Sequence, residues 1–238
     1  MVYSLLLPIL KPWNSLPFLM DLEKFKKDVS VMTDNLSKHV SESDFPKLDY
    51  VRLQLIGMYK KNLVKINHSI LELIWASNLI SRGYAVDVEK SVSEILVCDI
   101  YAKKGGGDTI IEIETGFTPP EHAMDTTDYF AARIMSKIAR YSQYCSKFSL
   151  ATPVTGLLPI PKIFMLPPSA RKSEDIDSIK SICDLYYKNP PISYDDILNA
   201  RLHSIYLINI DKSFAKEIDP QRYVELTQNL LGYGQIKY

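Results

Sequence analysis

The apolar positions of the chain follow two periods, which divide its first half into helices and then strands. Spacings of three and four residues predict helices over 20–40 and from about 49 to 82. The run "KINHSILELIWASNLISRGY" is apolar nearly all round, which is typical of a helix that packs deep against a sheet. Alternation of period two then predicts a strand in "YAVDVEK" and two more within residues 92–116.

The second half continues with mixed helical and strand patterns. The predicted elements are a Pro-containing loop over 117–126, a helix to about Lys147, a strand in "KFSLATP", helices near 173–188 and 193–202, a strand in "HSIYLINI", and a helical tail from Pro220. The order is therefore α-β-β-β-α-β with further α/β elements behind it. Such alternation of strands and helices predicts an α/β fold.

The two strands within residues 92–116 carry acidic residues among apolar ones. Glycines can adopt positive φ, so Gly105–Gly106 suits a two-residue hairpin turn. A turn of that length puts Asp99 directly opposite Glu112, and directly opposed residues share a face of the sheet. Glu114 joins them, since side chains two residues apart point the same way. The hairpin is therefore predicted to gather three carboxyl groups.

Three carboxyl groups on one face repel one another unless something neutralises them. Like charges directly opposite destabilise a sheet by roughly 0.2–1 kcal/mol, and a bound cation removes that cost. Hard oxygen donors, without paired Cys or His nearby, suit Mg²⁺ or Mn²⁺ rather than zinc. The alternative is an ordinary hairpin whose polar face is solvated.

A fourth acid, Glu72, lies in the apolar helical run. A glutamate in such surroundings is unfavourable unless it is paired or binds a metal. His68 precedes it by four residues and shares its helical face, so it is placed to hydrogen-bond to Glu72 or to reach a phosphate. The alternatives are that Glu72 occupies the one wet edge of the helix and that His68 is a structural histidine.

Basic residues recur along the predicted helix that follows the third strand. Arg133, Lys137 and Arg140 stand at i, i+4 and i+7, with Tyr141 beside them. A basic stripe is usually only a solvated face, but next to carboxylates it would also bind a phosphate backbone. The other residues assigned to this nucleic-acid surface are His68, Lys103 and Lys104.

Composition adds few constraints. The chain has 28 basic and 28 acidic side chains, so no overall charge points to nucleic acid or membrane. No apolar run reaches the roughly 18 residues of a membrane span, and residues 1–19 lack a targeting pattern, which makes them a predicted accessory extension. The three cysteines contain no Cys-x-x-Cys pair, which favours reduced thiols in the cytoplasm, or the host cytoplasm for a viral protein.

Together these residues resemble the PD-(D/E)xK nuclease superfamily. The shared core of that superfamily is a helix with an acid, three strands with Asp and then Glu-x-Lys, and a further helix and strand. Glu72 matches the helix acid, Asp99 the strand aspartate, and Glu112 with Glu114 the third motif. The likeness covers roughly residues 60–152. Thirteen residues separate Asp99 from Glu112, as in archaeal Holliday-junction resolvases, and the composition resembles that of superfamily nucleases from archaeal viruses.

The resemblance implies a restriction-endonuclease-like fold, with a central mixed sheet flanked by helices. On this basis we divide the chain into an N-terminal extension and helix (1–50), a nuclease core (51–155) and a C-terminal α/β extension (156–238). Two positions depart from the family pattern: Cys98 stands where the name-giving proline would be, and Glu114 replaces the motif lysine. A lysine supplied by the following helix is another solution within the superfamily, and Lys137 is placed to provide it.

The resemblance also implies a chemistry and partners. Asp99, Glu112 and the Ile113 carbonyl would hold one Mg²⁺ or Mn²⁺, and Glu72 with a share of Asp99 would complete a second site. Glu114 would orient or deprotonate the attacking water, assisted by Lys137. The implied function is metal-dependent endo- or exonucleolytic cleavage of DNA, on branched recombination or repair intermediates, by a homodimer. The alternative is a catalytically inactive nuclease-fold protein that binds nucleic acid or serves in assembly.

Overall fold

A six-stranded mixed sheet lies at the centre of the computed structural model, which describes residues 16–231 and the side chains of residues 20–227. The strands are β1 (Ala85–Ser91), β2 (Val97–Lys104), β3 (Gly107–Ile113), β4 (Lys147–Pro153), β5 (Ser204–Asn209) and β6 (Phe214–Ile218). They are arranged in chain order, parallel at β3–β4 and β4–β5 and antiparallel elsewhere. The predicted α/β class is therefore confirmed.

Helices cover both faces of this sheet. They are α1 (Leu16–Ser37), α2 (Phe45–Lys60), α3 (Ile66–Ser81), α4 (Thr126–Tyr141), α5 (Ser173–Tyr186), α6 (Tyr194–Asn199) and α7 (Pro220–Leu231). One hydrophobic core joins α1, α2 and α3 to the sheet, around residues such as Trp75 and Ile100. The other core packs the four helices α4, α5, α6 and α7 against the opposite face, around residues such as Met135 and Phe148. The central strands are thus buried on both faces, as their apolar content requires.

The observed elements follow the predicted order, with a few corrections. The series α3-β1-β2-β3-α4-β4 reproduces α-β-β-β-α-β. The predicted loop over 41–49 is shorter, because α2 begins at Phe45 with Pro46 in its first turn, where a missing N–H costs no hydrogen bond. The helical run over 49–82 breaks near residues 61–65 rather than at Gly57. Strand β6 had not been predicted from the sequence.

Residues at both ends of the chain lie outside the part that the structure describes. Residues 1–15 lie outside the described part of the chain, so the prediction of an accessory extension is not addressed there. Within the described residues, no helix combines the length and apolar character needed to cross a bilayer. Helices α1 and α2 share their core with α3 and the sheet. The three-segment division of the chain stays a prediction.

The β2–β3 hairpin has the predicted register. Lys104 pairs with Gly107 across a two-residue turn, and only Gly105 of the two turn glycines has positive φ, +59°, as in a type II′ turn. The ladder between the strands stops at the pair Ile100–Ile111. Beyond that pair the alternation of β2 is interrupted, since Cys98 packs in the α4-side core and Ile100 in the α3-side core. The residue at the interruption is Asp99.

Candidate active site

The site lies where β2 and β3 separate, and two acidic side chains take over the hydrogen bonds of the interrupted ladder. The backbone N–H of Ile113 donates to the carboxylate of Asp99. The backbone N–H of Asp99 donates to Glu112 Oε1 over 3.1 Å. The two acids are therefore fixed by backbone groups of the opposite strand. This explains how a sheet accommodates polar side chains next to its apolar core.

An amine from α4 lies among the carboxylates of β3. Lys137 Nζ is 2.7 Å from Glu114 Oε1, 2.9 Å from Glu112 Oε2 and 3.9 Å from Asp99 Oδ2. One turn earlier on the same helix, Arg133 Nη2 lies 3.0 Å from Glu114 Oε2, and its Nη1 donates to the Phe117 carbonyl. We call Glu112, Glu114, Arg133 and Lys137 the α4-side cluster. In it, two carboxylates face two permanent cations.

A second group of side chains lies toward α3. His68 Nε2 is 3.1 Å from Asp99 Oδ1 and 3.6 Å from Glu72 Oε1. One ligand atom each of His68, Glu72 and Glu89 lies within 4.8 Å of the others, so this set is able to hold a metal ion. We call these three residues the α3-side cluster. Asp99 lies between the two clusters and contacts both.

Glu72 is the most buried member of the α3-side cluster. Its side chain has no exposed surface, and neither carboxylate oxygen receives a hydrogen bond from a donor group of the described residues. Burial raises the pKa of Glu72 well above its usual value, and the charges of Asp99 and Glu89 raise it further. Without a cation, the neutral form of the Glu72 carboxyl group is therefore favoured.

Glu89 owes its position to an unusual backbone. Its φ is +49°, in the left-handed region, where a non-glycine residue has a conformational free-energy cost of about 1 kcal/mol or more. It lies in β1 between the paired residues Val88 and Lys90, opposite Asp99 of β2. Glu89 was missed from the sequence. Alternation in "YAVDVEK" gave no sign that the residue after Val88 would reach α3, because the left-handed turn is what brings it there.

Burial and neighbouring charges act in different directions on Glu112, Asp99 and Lys137. Burial raises the pKa of Glu112 to about 8, with a contribution from Asp99, and Lys137 offsets only part of this. Burial also acts to raise the pKa of Asp99, but Lys137 and the hydrogen bond from His68 outweigh it and lower the pKa. The carboxylates in turn raise the pKa of Lys137, despite its desolvation. Lys137 is therefore a stable cation in the site.

The acids of the site are less exposed than its basic residues. The side chains of Glu72, Glu112 and Glu114 are at most 5% exposed. His68 is 27% exposed and Lys137 22%. The imidazole and the amine are therefore more accessible to solvent than the buried acids are.

The remaining residues of the predicted nucleic-acid surface fall elsewhere. Lys103 and Lys104 lie at the turn end of the hairpin, about five residues or ~16 Å along β2 from Asp99. Arg140 donates to the Pro190 carbonyl and stacks over an aromatic ring on α5's side of the helix. The placement predicted for Tyr141 needs correction: it is buried, and its hydroxyl donates to the Val97 carbonyl, because this side of α4 faces the core.

Comparison with protein-family models, with curated proteins and with solved structures gave no significant match. Membership of the PD-(D/E)xK superfamily therefore stays a prediction from the sequence motifs. The assignment of a function depends on the geometry of the two clusters and of Asp99.

Proposed function

We propose that the chain is a metal-dependent nuclease of the PD-(D/E)xK type, which hydrolyses phosphodiester bonds in DNA. The observation that carries this proposal is the position of Lys137, in contact with Glu112 and Glu114 and close to Asp99. It supplies an amine beside the strand acids although the motif lysine is replaced by glutamate. The element order from α3 to β4 supports a restriction-endonuclease-like core.

The donor groups fit a divalent cation of the Mg²⁺ class. Five carboxyl groups face two permanent cations across the site, and the buried oxygens of Glu72 have no donor. Asp99, Glu112 and the Ile113 carbonyl would hold one Mg²⁺ or Mn²⁺, and Glu72 with a share of Asp99 a second. A bound ion would supply a water of lowered pKa and neutralise charge on the phosphate.

The side chains around that ion have separable tasks. Lys137 remains protonated and is partly exposed, so it is placed to hold a phosphate oxygen and the charge that develops on it. Both oxygens of Glu114 are held by Lys137 and Arg133. Glu114 therefore orients the two cations, and this role fits its contacts better than the predicted deprotonation of water.

Substrate and assembly follow from the resemblance. We take DNA as the substrate, with branched recombination or repair intermediates as its preferred forms and a homodimer as the active species. Arg133 and the exposed Lys103 and Lys104 would contact the backbone, which gives affinity without sequence preference.

The test is cleavage of labelled single-stranded, duplex and branched DNA with Mg²⁺, with Mn²⁺ and with chelator. We expect metal-dependent cleavage that falls about 100-fold or more in Asp99→Asn and in Glu112→Gln, since losing a metal ligand costs at least as much as losing its supporting residues. The matched control is Glu94→Gln, which changes an exposed acid between β1 and β2. Cleavage at the wild-type rate in both site variants would refute the proposal.

A second function has one observation in its favour. Lys137 and Arg133 contact Glu112 and Glu114 at 2.7–3.0 Å, so the protein itself supplies cations to the α4-side cluster, as expected of an inactive nuclease-fold protein that binds nucleic acid or serves in assembly. Calorimetric titration with Mn²⁺ separates the two. An inactive relative binds DNA but shows no Mn²⁺ binding that depends on Asp99 and Glu112.

A further inference from the structure

We propose that His68, Glu72 and Glu89 form a site of their own for a transition-metal ion such as Zn²⁺ or Mn²⁺, which Mg²⁺ fills poorly. This goes beyond the proposed function, in which neither His68 nor Glu89 holds a metal. It also holds whether or not the chain cleaves DNA. In this arrangement Glu72 binds the ion of the α3-side cluster in place of the second Mg²⁺ of the proposed function, while Asp99 and Glu112 remain with the strand site.

The first observation is the state of the Glu72 carboxyl group. It is wholly buried, and neither oxygen has a donor among the described residues. Buried polar atoms are nearly always satisfied, and an exception calls for a proton or an ion. A ligand atom of Glu89 lies within 4.8 Å, and the His68 imidazole lies 3.6 Å from Glu72 Oε1. A divalent ion held by these three side chains would satisfy the buried oxygens of Glu72.

The second observation is the backbone of Glu89. A glutamate seldom adopts positive φ, and this one does so inside a strand, at the position opposite Asp99. The result is that a carboxyl group from β1 comes within 4.8 Å of ligand atoms on α3. Strained conformations of this kind cluster at ligand sites, where the strain is part of the arrangement.

The third observation is the spacing and chemistry of the donor atoms. His68 Nε2 lies 3.6 Å from Glu72 Oε1. Two neighbouring ligands at about 2.1 Å from one tetrahedral ion are about 3.4 Å apart, so these atoms already have the separation of a shared ion. An imidazole with two carboxylates is typical of zinc and other transition metals, whereas Mg²⁺ prefers oxygen ligands and retains its waters.

Binding of the ion changes the partner of His68. Its Nε2 now lies 3.1 Å from Asp99 Oδ1, and this contact must give way when the same atom binds the metal. Asp99 is then released toward the strand site. The competing arrangement is a protonated His68 that neutralises Asp99 and Glu72 without any metal, and it makes the opposite prediction in a titration.

The test is calorimetric titration of the full chain with Zn²⁺, Mn²⁺ and Mg²⁺ after treatment with chelator, repeated with Glu112→Gln so that the strand site lacks one of its ligands. We expect Zn²⁺ and Mn²⁺ to bind at least about 10-fold more tightly than Mg²⁺, and Glu89→Gln and His68→Gln to weaken Zn²⁺ and Mn²⁺ at least about 10-fold. The matched controls Glu94→Gln and His39→Gln alter exposed residues and should bind as the wild type does. The Mn²⁺ arm excludes zinc capture by the free thiols, because thiolate ligands do not favour Mn²⁺.

A second readout covers the fold and the ligand type. Co²⁺ in the zinc position should give a visible spectrum that changes in His68→Gln, and thermal unfolding with chelator shows whether each variant is folded. Equal affinity for Mg²⁺, absence of Zn²⁺ and Mn²⁺ binding, or wild-type binding by folded Glu89→Gln would each overturn the proposal. Loss of cleavage in Asp99→Asn with intact Zn²⁺ binding tells the two proposals apart, and absence of cleavage altogether leaves this one standing.

Discussion

The two clusters on either side of Asp99 bury similar groups and balance them in opposite ways. In the α4-side cluster, Glu112 and Glu114 are paired with Lys137 and Arg133 at 2.7–3.0 Å. In the α3-side cluster, the basic group in contact with Glu72 among the described residues is the His68 imidazole, at 3.6 Å. In the first arrangement, cations of the protein contact both acids, although burial still raises the pKa of Glu112. In the second, the two acids depend on an imidazole, a proton or a metal ion.

We therefore expect the α4-side cluster to contribute to the stability of the fold and the α3-side cluster to bind a ligand. Removing one partner of a buried charge pair is costly because it leaves the other charge uncompensated. Replacing a buried acid that has no cation partner by an apolar residue should instead increase the free energy of unfolding, because the cost of burying that acid is removed. The same kind of substitution should therefore have opposite effects on stability in the two clusters.

The largest effect is expected for Lys137→Met. It leaves Glu112 and Glu114 buried without their shared cation, and we expect the free energy of unfolding to fall by about 3 kcal/mol, as for one partner of a buried ion pair. Cleavage of DNA should be lost as well. Chemical denaturation at pH 7 measures the change in stability.

The control for this variant is Lys26→Met on α1. Lys26 also pairs with a glutamate, Glu23, at 2.6 Å, but that pair is exposed, so its loss should cost under about 1 kcal/mol. If Lys137→Met costs no more than this control, the α4-side cluster does not depend on its cation and the contrast between the clusters fails.

Glu72→Met is expected to have a smaller effect than Lys137→Met and to increase the free energy of unfolding. The pKa of a glutamate in the unfolded chain is near 4.5, whereas the folded pKa of Glu72 lies well above that and that of Glu112 is about 8. Between pH 4.5 and 8 the folded state therefore binds more protons than the unfolded state, and stability falls as the pH rises. His68, whose folded pKa is above 6.5, acts in the same direction.

Glu72→Met should reduce this loss, and at pH 8 with chelator it should be more stable than the wild type by about 1 kcal/mol. Mn²⁺ should stabilise the wild type most at high pH, because it replaces the proton, and should stabilise the variant less. Melting temperatures from pH 5.5 to 8.5 measure both effects, with Glu94→Met as the exposed control. A variant that is less stable than the wild type at every pH would show that Glu72 has a cation in the protein itself.

The sequence alone predicted the positions of those site residues that follow from regular strand and helix geometry. A two-residue turn fixes the register of a hairpin, so the placement of Asp99 against Glu112 followed from Gly105–Gly106. An acid within an apolar helix marks Glu72 for the same reason, since its burial needs an explanation. These inferences use the periods of ideal strands and helices. The strand period holds up to the pair Ile100–Ile111, and beyond it side-chain hydrogen bonds join Asp99 to the opposite strand.

The parts that the sequence did not predict depend on local departures from those periods. The left-handed backbone of Glu89 breaks the alternation of β1, and no residue type announces it. Tyr141 follows the basic stripe in sequence, but α4 is covered by α5 and by the sheet, which leaves little of it exposed. Strand β6 is an edge strand with mixed burial, so its hydrophobic pattern is weak.

The smallest effect concerns the outer pair of the α4-side cluster, Arg133 with Glu114. Arg133 is 17% exposed and also donates to the Phe117 carbonyl, so Glu114 is only one of its partners. A double-mutant cycle with Arg133→Gln and Glu114→Gln should give a coupling energy of about 1 kcal/mol from denaturation data. The same cycle on the more exposed pair Lys180 and Asp184 should give less than about 0.5 kcal/mol. Equal couplings would mean that Lys137 alone neutralises the cluster, and that Arg133 is available to hold a phosphate.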